Sequence, residues 1–118
     1  MLKIIGVAAV LLATSTVSSA DQGECDRILK QAEKEQAFFS PVEGYKVIGK
    51  GRLYFYSAPD KNCRTKDVFV IPNDDLIAYT EYKGWYSVMY VNPKTGDDYA
   101  GWVEPERLKS IGTMGPKN

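Results

Sequence analysis

The chain of 118 residues is long enough for one small domain and too short for two of ordinary size. Its 15 basic residues balance its 15 acidic residues, so the charge indicates neither a nucleic-acid nor an anionic-membrane partner. The absence of histidine excludes Ser-His-Asp and Cys-His catalysis and the usual histidine metal sites from this chain. We therefore expect a non-enzymatic protein with no cofactor and no bound metal.

The first twenty residues have the order of a secretory signal peptide. Lys3 precedes an apolar run that ends at Ala13, and small or hydroxylated residues follow it. Ser18 and Ala20 fit the shallow subsites of the peptidase, so cleavage is predicted after Ala20. A membrane anchor needs roughly 20 apolar residues, and this run is about half as long. We predict a protein exported to the periplasm or secreted, with no integral membrane segment after cleavage and a net charge of about −1.

The exported part of the chain has two cysteines, Cys25 and Cys63, in a compartment where disulfides form and persist. One intramolecular disulfide is the favoured interpretation, and a reactive or metal-binding thiol is the alternative. Closing a loop of this length restricts the unfolded chain by roughly 3–4 kcal/mol. A domain this small gains much of its stability from such a bond.

An amphipathic helix is predicted directly after the cleavage site, from Asp21 to Phe39. The residues that recur at helical spacing are Cys25, Ile28, Leu29 and Ala32. Ser40-Pro41 ends the pattern, so residues 21–41 are assigned to an N-terminal helix segment. A helix this short is marginal alone in water, and we expect its cysteine to tie it to the domain that follows.

From Val42 onward, short β-type runs alternate with turn residues. The predicted strands lie at 53–56, 68–71, 76–82, 85–91 and 99–103, and a closing segment follows a turn at 105–108. Five or six short strands predict a small barrel, since closure removes exposed sheet edges. The barrel is assigned to residues 42–112, and residues 113–118 are expected to form a loose tail.

Alternation within these runs separates core positions from outward positions. The predicted core residues are Leu53, Phe55, Phe69, Ile71, Leu76, Ala78, Val88, Tyr90 and Val103. The outward positions are unusually aromatic, and aromatic rings with a polar edge suit sugar rings or extended peptides. The candidate binding residues are Tyr54, Tyr56, Tyr82, Trp85, Tyr99 and Trp102, with Tyr79 beside them.

A packing role is the alternative for these aromatic residues. Trp85 and Trp102 are interpreted in that case as half-buried barrel residues, because tryptophan is highly buried on average. Several tyrosines would then cover the docked helix. Tyr54 and Tyr56 fit either interpretation equally, because tyrosine is common in strands for packing reasons alone.

One local cluster of basic residues lies beside the second cysteine. Its members are Lys61, Arg64 and Lys66. We interpret the cluster as a solvated loop, and an anion site is the alternative. Nothing in the sequence interleaves these residues with base-stacking aromatic side chains.

Three motifs occur in a characteristic order along the strand region. They are LYFYSAP at 53–59, FVIPNDDLIAYTEYKGWYSVMY at 69–90 and GWVEPERL at 101–108. In this order and spacing, the stretch from about Val47 to Ile111 resembles a bacterial SH3-type (SH3b) domain. The sequence departs from the family at Asn73-Asp74, where a turn glycine is usual, and in the added helix with its cysteine link. Such a helix would cover one face of the barrel.

The resemblance implies a mainly β, SH3-like barrel that binds a partner. The favoured hypothesis is an exported inhibitor or immunity-type protein, which caps a protein partner such as a toxin or a cell-wall hydrolase. The alternative is a module of the cell envelope that binds a peptidoglycan fragment or a peptide ligand. A structural accessory of an envelope assembly is a third hypothesis, and the oligomeric state stays open.

Overall fold

The computed structural model describes residues 22–113, in which one α-helix precedes a single antiparallel sheet of seven strands. The predicted mainly β class with an N-terminal helix is confirmed. The elements are α1 (Gln22–Glu35), β1 (Ala37–Val47), β2 (Leu53–Tyr56), β3 (Arg64–Val70), β4 (Asp75–Tyr82), β5 (Trp85–Val91), β6 (Asp98–Val103) and β7 (Leu108–Thr113). Across the sheet the strands follow the order β3-β2-β6-β5-β4-β1-β7.

Two segments named from the sequence fall outside this range. The predicted signal peptide at residues 1–20 lies outside the described residues, and so does the predicted tail except for Thr113, which belongs to β7. Among residues 22–113, no helix has the length and apolar character that a bilayer crossing requires.

The sheet is open, so the predicted closed barrel of five or six strands is wrong. β3 pairs with β2 and β7 pairs with β1, and within the described range no ladder joins these two edge strands. The sequence pattern assigned part of β1 to the helix. In the structure β1 lies between β4 and β7 and bonds to both, which widens the sheet to seven strands.

The helix ends at Glu35, earlier than the predicted end at Phe39. Phe38 already pairs with β4, and the Phe39 ring packs edge to face against Tyr86 with centroids 5.2 Å apart. The predicted stop at Pro41 lies inside β1, where the pairing with β4 is interrupted. The sheet offers these residues backbone partners and apolar contacts, which outweigh the local helical pattern.

The core lies on one face of a curved sheet, which we call the inner face. Val47 of β1 and Val70 of β3 are far apart in strand order, yet both belong to one buried cluster. The sheet must therefore curl around that cluster. Its most deeply buried large residues are Phe55, Leu76, Val47, Val88 and Val103. Of the predicted core, Phe55, Leu76, Ala78, Val88 and Val103 are confirmed as buried, while Leu53 and Tyr90 pack at its margin.

β3 has the opposite phase to the predicted one, so Phe69 and Ile71 are corrected from core to outer positions. Val70 is 2% exposed and Val68 packs beside it, whereas Ile71 is 49% exposed just beyond the strand. The pairing of Leu53 with Val70 decides the phase, because directly paired residues share a face of the sheet. Phe69 therefore lies on the opposite face, which we call the outer face.

Arg107 holds the loop between β1 and β2. Its Nε donates to the carbonyl of Ile48 at 2.8 Å, and its two terminal nitrogens donate to the carbonyls of Arg52 and Gly51 at 3.1 and 2.7 Å. A Cβ on Gly49, which has a φ of +89°, would lie 2.8 Å from the same Nε. Glycine is thus required there both for the backbone conformation and for the approach of the arginine.

α1 lies on the outer face and is held there by packing and by a covalent bond. Ala32 is fully buried against Trp85 and Trp102. Cys25 near the start of the helix is bonded to Cys63, which ends a single 3-10 turn just before β3. The predicted disulfide is confirmed.

Removing the disulfide will free the helix before it disturbs the sheet. We expect the double substitution of Cys25→Ser and Cys63→Ser to lower the free energy of unfolding by about 4 kcal/mol, since the bond spans 38 residues of sequence. Urea denaturation measures the loss. Hydrogen exchange should rise in α1 while β4 and β5 keep their protection, because those strands bond to each other. An equal loss of protection in helix and strands would contradict this order.

The stability of the fold will fall at alkaline pH. Burial, and then a hydrogen bond with Tyr86, raises the pKa of Tyr45 from 10.0 to about 12. The folded state holds the phenolic proton of Tyr45 more tightly than the unfolded state does. The stability that this proton contributes is therefore fully present below pH 10 and is lost as the pH rises toward 12. Tyr45→Phe should flatten the fall in the urea midpoint across this interval. A residual slope is expected, because burial also raises the pKa of Tyr90. An unchanged slope in the variant would exclude Tyr45 as a source.

Candidate functional site

The six predicted binding residues lie in three separate places on the sheet. Four of them pack beneath α1 and form the helix cluster: Tyr56, Tyr82, Trp85 and Trp102. Tyr54 lies on the β2–β3 hairpin beside Arg64, and Tyr99 stacks on Tyr90 with ring centroids 6.5 Å apart. The structure does not gather the six residues on one surface.

The helix cluster has little surface left for a ligand. Trp85 is 8% exposed and Trp102 is 4% exposed. The Tyr56 ring meets Trp85 edge to face at 4.8 Å, and the hydroxyl of Tyr82 donates to Glu35 at the end of the helix at 3.3 Å. This placement matches the packing alternative for the two tryptophans.

The burial of Trp102 makes it a stabilising residue. We expect Trp102→Ala to lower the free energy of unfolding by about 3–5 kcal/mol, because the helix loses an indole that it covers. Tyr99→Ala is the matched control, since Tyr99 is 45% exposed and should cost about 1 kcal/mol or less. Urea unfolding of both variants checks the difference. Equal effects would contradict the placement of Trp102 under the helix.

A groove of about 480 Å³ lies between the second half of α1 and the outer face. The helix contributes Leu29 and Glu33, Gln36 follows directly after the helix, and Trp102 closes the groove on the side of the helix cluster. The remaining lining residues come from the loop after β2 and from the strands: Ser57, Tyr79, Thr80, Ser87, Val88, Met89, Ala100 and Gly101. The hydroxyls of Thr80 and Ser87 lie 2.6 Å apart and bond to each other.

Beyond the groove, α1 leaves part of the outer face uncovered. The register places Ile77, Met89 and Ala100 side by side on β4, β5 and β6. Phe38 at one end is 71% exposed, and Val91 at the other end is 45% exposed. We call these five residues the outer strip.

Charged side chains border the outer strip. Lys46 and Asp75 face each other across β1 and β4 and form an ion pair at 2.9 Å. Asp98 pairs with Val91 across β5 and β6 and is exposed. The surface therefore has an apolar centre with a charged border.

The sequence carried a signal for the outer strip that the strand assignment did not use. In β4 and β5 the residues between core positions are also apolar, namely Ile77 and Met89. A half-solvated strand alternates apolar with polar residues, so these two strands have apolar residues on both faces. Apolar residues at positions where a solvated face would have polar ones indicate a second apolar surface.

A second exposed surface lies on the outer face of the β2–β3 hairpin. The guanidinium carbon of Arg52 is 4.3 Å from the ring centroid of Phe69, and that of Arg64 is 4.5 Å from the ring centroid of Tyr54. The two rings are cross-strand partners with centroids 5.4 Å apart. We call these four residues the arginine ladder.

The described residues contain neither a free thiol nor a metal-ligand cluster. Both cysteines are in the disulfide, which leaves no free thiol between residues 22 and 113. In the same range, no group of three or more acidic or cysteine side chains is placed to hold a metal ion.

Comparison of the chain with protein families, curated proteins and solved structures gave no match.

Proposed function

We propose that this chain is an exported, non-enzymatic binding module that caps or inhibits a protein partner, such as a toxin or a cell-wall hydrolase. The SH3-type resemblance between about Val47 and Ile111 is part of the proposal. The observation that carries it is the outer strip, an apolar surface that α1 leaves uncovered beside a groove.

The composition of the outer strip supports a protein partner. A contiguous exposed apolar surface on a small protein typically marks an interaction site. Phe38 is 71% exposed at one end of the strip, and aromatic residues are enriched in protein interfaces. The border formed by Lys46, Asp75 and Asp98 supplies the polar rim that surrounds the apolar centre of such interfaces.

The groove supports binding of an anchoring side chain. It holds about 480 Å³, which is ample for a large apolar side chain of a partner. Met89 and Ala100 belong to both the groove and the outer strip, so an anchor in the groove and contacts along the strip form one continuous surface.

The disulfide supports export. Bonds such as that between Cys25 and Cys63 persist in oxidising compartments and are rare in the cytosol. A secreted or periplasmic inhibitor also needs resistance to unfolding, and this bond supplies it.

Charge introduced into the outer strip should weaken binding of the partner. The immobilised exported chain is exposed to extracytoplasmic proteins of the producing organism, and the dominant retained protein is purified and titrated. We expect Met89→Glu and Phe38→Glu each to weaken its affinity by about tenfold or more, because a carboxylate is then desolvated in an apolar contact. Ile71→Glu is the matched control, since Ile71 is an exposed apolar residue outside the strip.

Three outcomes would contradict the proposal. One is that no protein is retained at micromolar strength, and another is that the strip variants bind as well as Ile71→Glu does. The third is sedimentation of the chain with purified peptidoglycan that both strip variants abolish. That last result would assign the strip to envelope binding, which is the alternative function.

A further inference from the structure

We propose a second binding site at the arginine ladder, which takes the carboxylate groups of an extended acidic polypeptide segment. The site shares no residue with the outer strip, so its test is independent of the function proposed for that strip. It lies at a groove of about 320 Å³ between the hairpin and the turn after β6. The groove residues that bear on the argument are Arg52, Tyr54, Arg64, Glu104, Glu106 and Arg107.

The ladder fixes two guanidinium groups in place. Arg52 stacks on Phe69 and also donates from Nη1 to the hydroxyl of Tyr54 at 3.2 Å. Arg64 stacks on the Tyr54 ring. A guanidinium held over the face of a ring still has N–H groups at its edge, where they are available to an anion. Because the side chains are already ordered, an anion that binds them immobilises little more.

The positive charges of Arg52 and Arg64 are available to an anionic ligand. Within residues 22–113, neither side chain forms an ion pair with a carboxylate. Arg107 differs, because its side chain is bonded to three backbone carbonyls. Glu104 is engaged by Lys61 at 3.7 Å. The groove therefore presents two cationic edges that no carboxylate of residues 22–113 neutralises.

The other charges of the groove favour a carboxylate over a phosphate. Glu104 and Glu106 line the same groove and would repel a doubly charged phosphate more strongly than a singly charged carboxylate. A planar carboxylate also matches the edge of a guanidinium with two parallel hydrogen bonds. The chain as a whole carries no excess positive charge that would favour a polyphosphate.

The position of the ladder favours a polypeptide as the source of the carboxylates. Arg64 and Phe69 belong to β3, which is an edge strand of the sheet. An edge strand presents unpaired backbone groups that an extended segment can pair with. Lys66 and Asp67 of the same strand are both exposed and opposite in charge, so the positive charge at this edge comes from Arg64. An acidic segment that pairs with β3 would place its carboxylates beside the ladder.

Titration calorimetry with synthetic peptides tests the site. The probe is an extended peptide of alternating Glu and Thr, and the matched neutral probe replaces each Glu by Gln. We expect the acidic peptide to bind and the neutral peptide to show no binding. Arg64→Ala should weaken binding by about tenfold, and Arg64→Lys should restore part of it, since lysine keeps the charge without the paired geometry. Lys109→Ala, which removes an exposed charge on the opposite edge strand, should change nothing.

Amide hydrogen exchange gives a second readout of the same complex. The acidic peptide should slow exchange in β3 and leave β7 unchanged, because only β3 gains a backbone partner. Equal binding of the two peptides would overturn the proposal. An Arg64→Ala variant with the urea midpoint of the native protein and the same affinity for the acidic peptide would also overturn it. Binding of polyglucuronate or inorganic phosphate in place of the acidic peptide would overturn the assignment to a polypeptide.

Discussion

The contact between α1 and the two tryptophans decides which parts of the outer face remain open. Ala32 lets the helix approach the indole rings closely, and the disulfide fixes the first turn of the same helix. Along β6 and the residue after it, Ala100, Trp102 and Glu104 share one face by alternation. Ala100 belongs to the outer strip, Trp102 to the helix cluster, and Glu104 to the groove of the arginine ladder. The helix therefore separates two surfaces of different chemistry.

Local sequence signals located most of the strands but not the way in which the sheet is assembled. The β4–β5 hairpin is predictable from its two-residue turn, in which Lys83 and Gly84 both adopt positive φ. β1 is absent from the predicted strands, because residues 37–39 fit a helical pattern and the strand partners of β1 lie about forty residues further along. The pairing of Val70 with Leu53 decides which residues of β3 lie on the inner face. Such long-range pairings decide both closure and phase, and no local window contains them.

The functional surfaces were predictable only where one residue type decides the outcome. The tryptophans were large enough that a covering helix had to bury them, so the packing alternative was available from the sequence. The role of the basic cluster was harder to predict, because its members have different partners in the fold. Lys61 pairs with Glu104, whereas Arg64 stacks on Tyr54. The sequence placed both near Cys63, but only the pairing of β2 with β3 turns one of them into part of a stacked surface.

The open sheet leaves two edges of unequal character. β3 carries Arg64, Lys66 and Asp67, and charges of this kind discourage uncontrolled pairing with another chain. β7, with the sequence LKSIGT, has Lys109 as its one charged residue, and its Ile111 is 47% exposed. Edge-to-edge aggregation in concentrated solution will therefore start at β7. Within β7, Lys109 is the one charge that discourages such pairing.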